Sequence, residues 1–214
     1  MASTYLFAIY PNLQAAERAI SKLLLSAYNT DQVGVASSAI YDEPAQKSTS
    51  DVTNLELNIS AGIFRQMVGH WGKSTNVHVA GIGSLIVLGI FNEIVNRLNY
   101  FEASLAAMGI PSQHIELILE SLRQGDAIVC VRVLKNNIDD ASSILCQYKP
   151  VDLEARARQW RMRGWQGFDA MSDPYSVEEV IRKKRQYTPP RADDVEECMD
   201  RILQFYHATS AQDS

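Results

Sequence analysis

A loop in the first half of the chain carries residue types suited to proton transfer and ligand binding. His70 and His78 flank Trp71 and Lys73. A histidine side chain titrates near pH 7 and transfers protons, while a lysine supplies a positive charge. If the two histidines meet in space, these four residues form a small-molecule-binding or catalytic site.

The spacing of the histidines does not favour a metal site. A zinc-binding helix places two histidines at positions i and i+4, and many structural zinc sites add cysteines close by. His70, His78, His114 and His207 show neither arrangement. The sequence therefore predicts no bound metal, and histidines that lie at the surface or at helix ends.

Three glycines punctuate an uncharged, apolar run over residues 76–91. Gly81, Gly83 and Gly89 do not fit the dinucleotide-binding pattern G-x-G-x-x-G, because residue 86 is isoleucine. The run is shorter than the about 20 apolar residues that a membrane-spanning helix needs. We therefore interpret it as a buried strand without a membrane span, in which the glycines allow close backbone packing.

Two further motifs are incomplete. The run over residues 72–74 matches the end of a phosphate-binding loop, but Met67 stands where that loop needs its first glycine. The residues around Ser84 lack the closing glycine of the hydrolase motif G-x-S-x-G. The sequence therefore predicts no cofactor and identifies no catalytic residue.

A basic and aromatic segment lies in the last third of the chain. Its members are Arg156, Arg158, Arg161 and Arg163, which alternate with Trp160 and Trp165. One interpretation is an amphipathic helix whose arginines are solvated while Trp160 packs on the core. Another is an interaction surface built from Arg156, Trp160, Arg163 and Trp165. Such a surface also suits single-stranded nucleic acid or anionic lipid, but the net charge of −5 argues against nucleic acid.

Composition and cysteine content favour a globular protein from a reducing compartment. The 214 residues are 46% hydrophobic and 21% charged, a balance that allows a buried core. Cys130, Cys146 and Cys198 are odd in number and form no C-x-x-C pair, so we predict buried free thiols. The N-terminal residues lack the features of a signal peptide, so we expect a cytoplasmic location.

Hydrophobic periodicity predicts alternating strands and helices. Strands are expected over residues 5–10, 32–41 and 127–134, and helices after Asn12 and over residues 92–108, 113–122, 153–165, 177–187 and 192–207. Gly109 and Gly125 are expected to end two of these helices. Ser176 and Glu179 have the spacing of a capping box.

Two segments repeat the order strand, Asn-containing turn and helix, over residues 5–20 and 127–144. Two such halves favour a ferredoxin-like α/β sandwich with its helices on one face of the sheet. We therefore predict an α+β domain over residues 1–150, with an insert around 42–75. Residues 151–214, here called the C-terminal extension, are predicted to be helical and to pack on this domain or on a partner.

Two stretches of this domain, VHVAGIGSLIVLGIF over residues 77–91 and LAAMGIPSQHIELILESLRQGDAIVCVRV over residues 105–133, carry a family resemblance. In order and spacing they resemble the bacterial general stress protein 17M-like (heat-induced stress protein) domain, over residues 5–145. The chain departs from the family at Asp126, where the family has a small or apolar residue, and in the insert. The resemblance implies a small α+β domain linked to stress responses and supplies no catalytic residues.

These observations leave two hypotheses for function. The first is a non-enzymatic, stress-associated protein that acts as a homodimer or through a protein partner bound by the C-terminal extension. The second is a small-molecule-binding or catalytic domain with its site near residues 70–78. Nucleic-acid binding through Trp160, Trp165 and the arginines is a weaker third idea.

Overall fold

The computed structural model describes residues 3–38, 67, 69, 71–186 and 195–210, and their side chains through residue 185 and over 195–202. Most of the predicted insert around residues 42–75, His70 included, lies outside these residues, as does His207 as a side chain.

Five strands and eight α-helices make up the described part of the chain. In chain order they are β1 (Ser3–Tyr10), α1 (Leu13–Leu25), β2 (Val33–Ser38), β3 (Ser74–Val79), β4 (Gly83–Gly89), α2 (Ile90–Leu98), α3 (Phe101–Ala107), α4 (Ser112–Arg123), β5 (Ala127–Leu134), α5 (Ile138–Cys146), α6 (Leu153–Met162), α7 (Val177–Gln186) and α8 (Val195–Ser210). None of these helices combines the length and the apolar composition needed to cross a bilayer.

The strands form one antiparallel sheet in the order β1-β5-β2-β4-β3. β5 lies between β1 and β2, so the connection through α1 is a split β-α-β unit. β2 likewise lies between β4 and β5, which are joined through α2, α3 and α4. The protein is therefore a mixed α/β structure, and β1 is an edge strand of its sheet.

Helices cover both faces of the sheet. Leu6, Ala8 and Tyr10 of β1 point to one face and pack with α1 and α5, while Phe7 and Ile9 point to the other face and pack with α4 and α6. Successive side chains of a strand alternate between faces, so a strand that is apolar at every position is covered on both sides. The prediction of helices on one face is wrong, and the unbroken apolar runs in β1 and β5 are the reason.

The glycine-punctuated run is a hairpin of β3 and β4 rather than one strand. The chain reverses at Gly81, whose φ is +77°. A Cβ atom at Gly81 would lie 2.8 Å from the backbone oxygen of Asp169 and 3.0 Å from the Cα of Ala170. The C-terminal extension therefore packs directly against this turn, which is why the position has no side chain.

Local signals place several helix ends where the sequence predicts them. The Asn12 side chain accepts a hydrogen bond of 2.8 Å from Ala15 N at the start of α1. Ser176 and Glu179 form the predicted capping box, with hydrogen bonds of 2.9 and 3.3 Å. The predicted helix over residues 92–108 is instead two helices, because Asn99 adopts a left-handed conformation with φ of +62°. The predicted helix caps at Asn12 and Ser176 are therefore confirmed.

The C-terminal extension packs on the sheet of the same chain. Leu153, Ala157 and Trp160 of α6 belong to the hydrophobic core on one face, and Cys198 and Ile202 of α8 belong to the core on the other face. The extension thus passes around the open edge of β1 and completes the core on both faces of the sheet.

Two of the three cysteines are disulfide-bonded. Cys146 at the end of α5 bonds to Cys198 of α8, with 5.8 Å between their Cα atoms. Cys130 is buried and free, as predicted, and burial raises the pKa of its thiol. The prediction of free thiols is wrong for Cys146 and Cys198, because the packing of α8 on α5 brings together cysteines that are 52 residues apart in the chain.

Gly89 offers a direct test of the sheet register. It has φ of +62°, and a Cβ there would overlap the Val33 carbonyl oxygen and lie 2.8 Å from Trp71 Nε1. We expect Gly89→Ala to lower the free energy of unfolding by about 4 kcal/mol or more, since backbone rather than a mobile side chain blocks the space. Urea denaturation measures this change.

Gly164→Ala is the matched control. Gly164 also has positive φ, +90°, but a Cβ there meets no atom within 4 Å. The control should cost only the backbone strain of about 1–2 kcal/mol. Equal losses in the two variants would contradict the observed contact between β2 and β4.

Candidate ligand site

A cavity of about 570 Å³ lies at the open edge of β1. Its walls come from β1, α4, α6 and α8, so the C-terminal extension forms about half of the enclosure. Its apolar side chains include Phe7, Ile9, Ile118, Ile128, Leu153 and Ile202, and its polar ones are His114, Asp152, Glu154, Arg158, Glu197 and Arg201. The cavity therefore combines an apolar interior with a charged rim.

The cavity is positioned by a backbone contact to the edge strand. Val151 N donates a hydrogen bond of 2.6 Å to the Ile9 carbonyl oxygen. Among the described residues β1 is otherwise paired with β5 alone, so this bond sets the place where the extension crosses the sheet edge. The chain after Val151 leads directly into α6, and the polar residues at the start of this helix line the cavity.

Asp152 joins two walls of the cavity. Its Oδ1 atom accepts a hydrogen bond of 2.8 Å from Ala155 N and caps the start of α6. Its Oδ2 atom accepts a hydrogen bond of 2.9 Å from Arg201 Nη1 of α8. The same carboxylate therefore caps the start of α6 and fixes α8 to it.

His114 and Glu154 form a polar pair on another side of the cavity. His114 Nε2 lies 3.5 Å from Glu154 Oε1, and the side chains are 16% and 52% exposed. Burial lowers the pKa of His114, and the neighbouring Glu154 carboxylate partly offsets this effect. Burial therefore favours the neutral form of the imidazole.

The two arginines that line the cavity differ in whether a carboxylate pairs with them. Arg201 is paired with Asp152 at 2.9 Å and with Glu197 at 4.0 Å. Arg158 is exposed, and no carboxylate in the described part of the chain lies within ion-pair distance of it. Arg158 is thus available to a negatively charged group at the mouth of the cavity.

The loop residues proposed from the sequence lie elsewhere. Trp71 Nε1 donates a hydrogen bond of 3.0 Å to the Thr30 carbonyl, and its ring lies against Gly89 at one end of β4. His78 is exposed on β3 opposite Ser84, five residues along β4 and so about 17 Å away at the rise of a strand. Lys73 is exposed. The structure does not bring Trp71 and His78 together, and His70 lies outside the described residues.

Most of the side chains predicted to form a basic and aromatic surface are instead packed inside the protein. Arg156 and Trp160 are 3% and 8% exposed, and Trp165 is half-buried with its ring centre 5.5 Å from that of Trp160. Arg163 is exposed. Three of these four side chains therefore serve the attachment of the extension. The amphipathic interpretation predicts this for Trp160, but its prediction of solvated arginines is wrong for Arg156.

Arg156 forms a buried ion pair with Asp126 at the start of β5. Nη1 of Arg156 donates to Oδ2 of Asp126, and both side chains are almost fully buried. Burial raises the pKa of Asp126, while Arg156 and then Lys184 act in the opposite direction. Lys184 of α7 also donates to the carbonyls of Pro11 and Gly125, at 2.6 and 2.7 Å. The extension is therefore bound to the sheet by charge as well as by apolar contact.

Sequence patterns do not bring together the central residues of this cavity. His114 and Glu154 are 40 positions apart on different helices. Arg158 belongs to the basic and aromatic segment named above, and Arg201 lies outside it. Asp126 did stand out, as the point of departure from the resembling family. A charged residue at the start of an apolar strand is the one local sign that a partner charge is buried with it.

Comparisons of the chain with protein-family models, curated proteins and solved structures give no match.

The ion pair predicts an asymmetric mutational response. Arg156→Met leaves the Asp126 carboxylate buried without its main partner and should cost about 3–5 kcal/mol in free energy of unfolding at pH 7. The double variant Asp126→Leu with Arg156→Met should recover much of that loss. Arg161→Met, an exposed arginine on the same helix, is the control and should change little.

The loss in Arg156→Met should also depend on pH. Without Arg156 the pKa of Asp126 in the folded protein rises further above its unfolded value, so the folded state binds the extra proton. The loss relative to the natural protein is then smallest near pH 4 and grows as the pH rises toward 7. Denaturation at several pH values measures this, and a pH-independent loss would contradict a buried carboxylate.

Proposed function

We propose that this protein binds a small amphipathic anion in the cavity between the sheet edge and the C-terminal extension. The observation that carries the proposal is Arg158, a cation without an ion-pair partner among the described residues, at the charged rim of a cavity with apolar side chains inside. A carboxylate or similar head group would meet Arg158, and an apolar body would lie against Ile118, Ile128 and Phe7.

The dimensions of the cavity support this assignment. Its volume of about 570 Å³ falls within the range of about 300–1,000 Å³ typical of small-molecule sites. Such sites are mostly apolar, with a few polar groups that fix the orientation of the ligand. Here the imidazole of His114 beside Glu154 supplies a hydrogen-bonding group, and Arg158 supplies the charge.

Several expectations from the sequence are not tested by the structure and remain predictions. They are a stress-associated role, a homodimer or a protein partner, and a cytoplasmic location. The ferredoxin-like assignment is likewise a proposal, supported by the two split β-α-β units and not by the placement of helices on both faces. A second site near residues 70–78 stays a prediction as well.

Matched probes test the proposal. Octanoate and 1-octanol have unbranched chains of the same total carbon number, and only octanoate is an anion. We expect octanoate to shift the NMR signals of His114, Ile118 and Ile128, and to bind more tightly than 1-octanol. Arg158→Gln should weaken octanoate binding about tenfold, because a hydrogen bond to a charged group contributes about 1.5–3 kcal/mol, and should leave 1-octanol binding unchanged.

The control is Arg161→Gln, which removes an arginine from the same helix but outside the cavity. It should not alter the affinity for either probe. Shifts confined to residues outside the cavity, or equal losses in the two arginine variants, would contradict the proposed site.

A further inference from the structure

We infer that the Cys146–Cys198 disulfide is a redox-controlled latch on the wall of the cavity. The inference rests on the proposed function, since it describes how binding at that same site is regulated. In the oxidised protein α8 closes the cavity, and in the reduced protein this wall is released and binding is weakened.

The first observation is that α8 forms one side of the cavity. Glu197, Cys198, Arg201 and Ile202 all line it. Cys198 is thus both a lining residue and one half of the disulfide. A change in the bond therefore acts on the wall itself and needs no transmission through the rest of the protein.

The second observation concerns what else holds α8 in place. Within residues 195–202, Arg201 pairs with Asp152, and these side chains are 26% and 12% exposed. Cys198 and Ile202 are buried in the core, and the partly buried Met199 packs against it. The covalent bond to α5 adds to these contacts, so breaking it weakens the attachment of α8.

The third observation is that the Cys198 half of the disulfide is reached from the cavity, which gives a small dithiol a route to it. A thiolate of the dithiol attacks Cys198 Sγ, the sulfur–sulfur bond breaks, and the Cys146 sulfur leaves with the electron pair and takes up a proton. The second thiol of the reductant then displaces Cys198 as a thiol and closes its own disulfide. Two protein thiols and one oxidised dithiol result, so atoms and electrons balance.

The coupling runs in both directions. If the oxidised state binds the anion more tightly than the reduced state does, the bound anion must favour the oxidised state by the same factor. A ligand in the cavity also covers the approach to Cys198. The latch therefore predicts that octanoate opposes reduction, as well as that reduction opposes octanoate binding.

The test measures octanoate affinity by NMR titration before and after treatment of the full chain with dithiothreitol. We expect reduction to weaken binding about tenfold in the natural sequence. The variant Cys146→Ser with Cys198→Ser should bind as the reduced protein does and show no response to dithiothreitol. The control Cys130→Ala removes the free buried thiol and should keep the full response.

A second measurement separates the latch from the proposed function. Hydrogen exchange of the amides over residues 195–202 should speed up on reduction, while exchange in β5 stays unchanged. If octanoate does not bind the oxidised protein, the proposed function fails, and this exchange alone decides whether α8 is released. Unchanged affinity or unchanged exchange over residues 195–202 after reduction would overturn the latch.

Discussion

The buried ion pair between Asp126 and Arg156 is the contact on which the arrangement of the chain depends. A carboxylate cannot be buried at the start of a central strand without a partner charge, and that charge comes from α6 in the C-terminal extension. The sheet and the extension therefore need one another. Trp160, on the same helix as Arg156, is buried in the hydrophobic core and adds apolar contact to this attachment.

The position of the cavity follows from this dependence. Once α6 is fixed by Arg156 on its inner side, Glu154 and Arg158 are carried to its other side, next to the open edge of β1. Asp152 at the start of the helix then holds α8 across the remaining gap. The cavity thus lies where the extension meets the sheet, and both contribute to its walls.

The sequence predicts what is decided locally and misses what depends on long-range packing. Asn12, Ser176 and Glu179 cap helices as expected, and the apolar strand over residues 127–134 is correct, because neighbouring residues determine these features. The two covered faces of the sheet, the pairing of Cys146 with Cys198, and the meeting of His114 with Glu154 depend on which helices pack together. Periodicity within one helix does not contain that information.

Native-state hydrogen exchange is the most direct test of the mutual dependence of sheet and extension. The free energy of opening is measured for the amides of α6 and of β5 at increasing urea concentrations. The account predicts that both elements exchange through the same global unfolding, with equal free energies and equal urea dependence. Exchange of the α6 amides through a separate, low-energy opening that leaves β5 protected would contradict it.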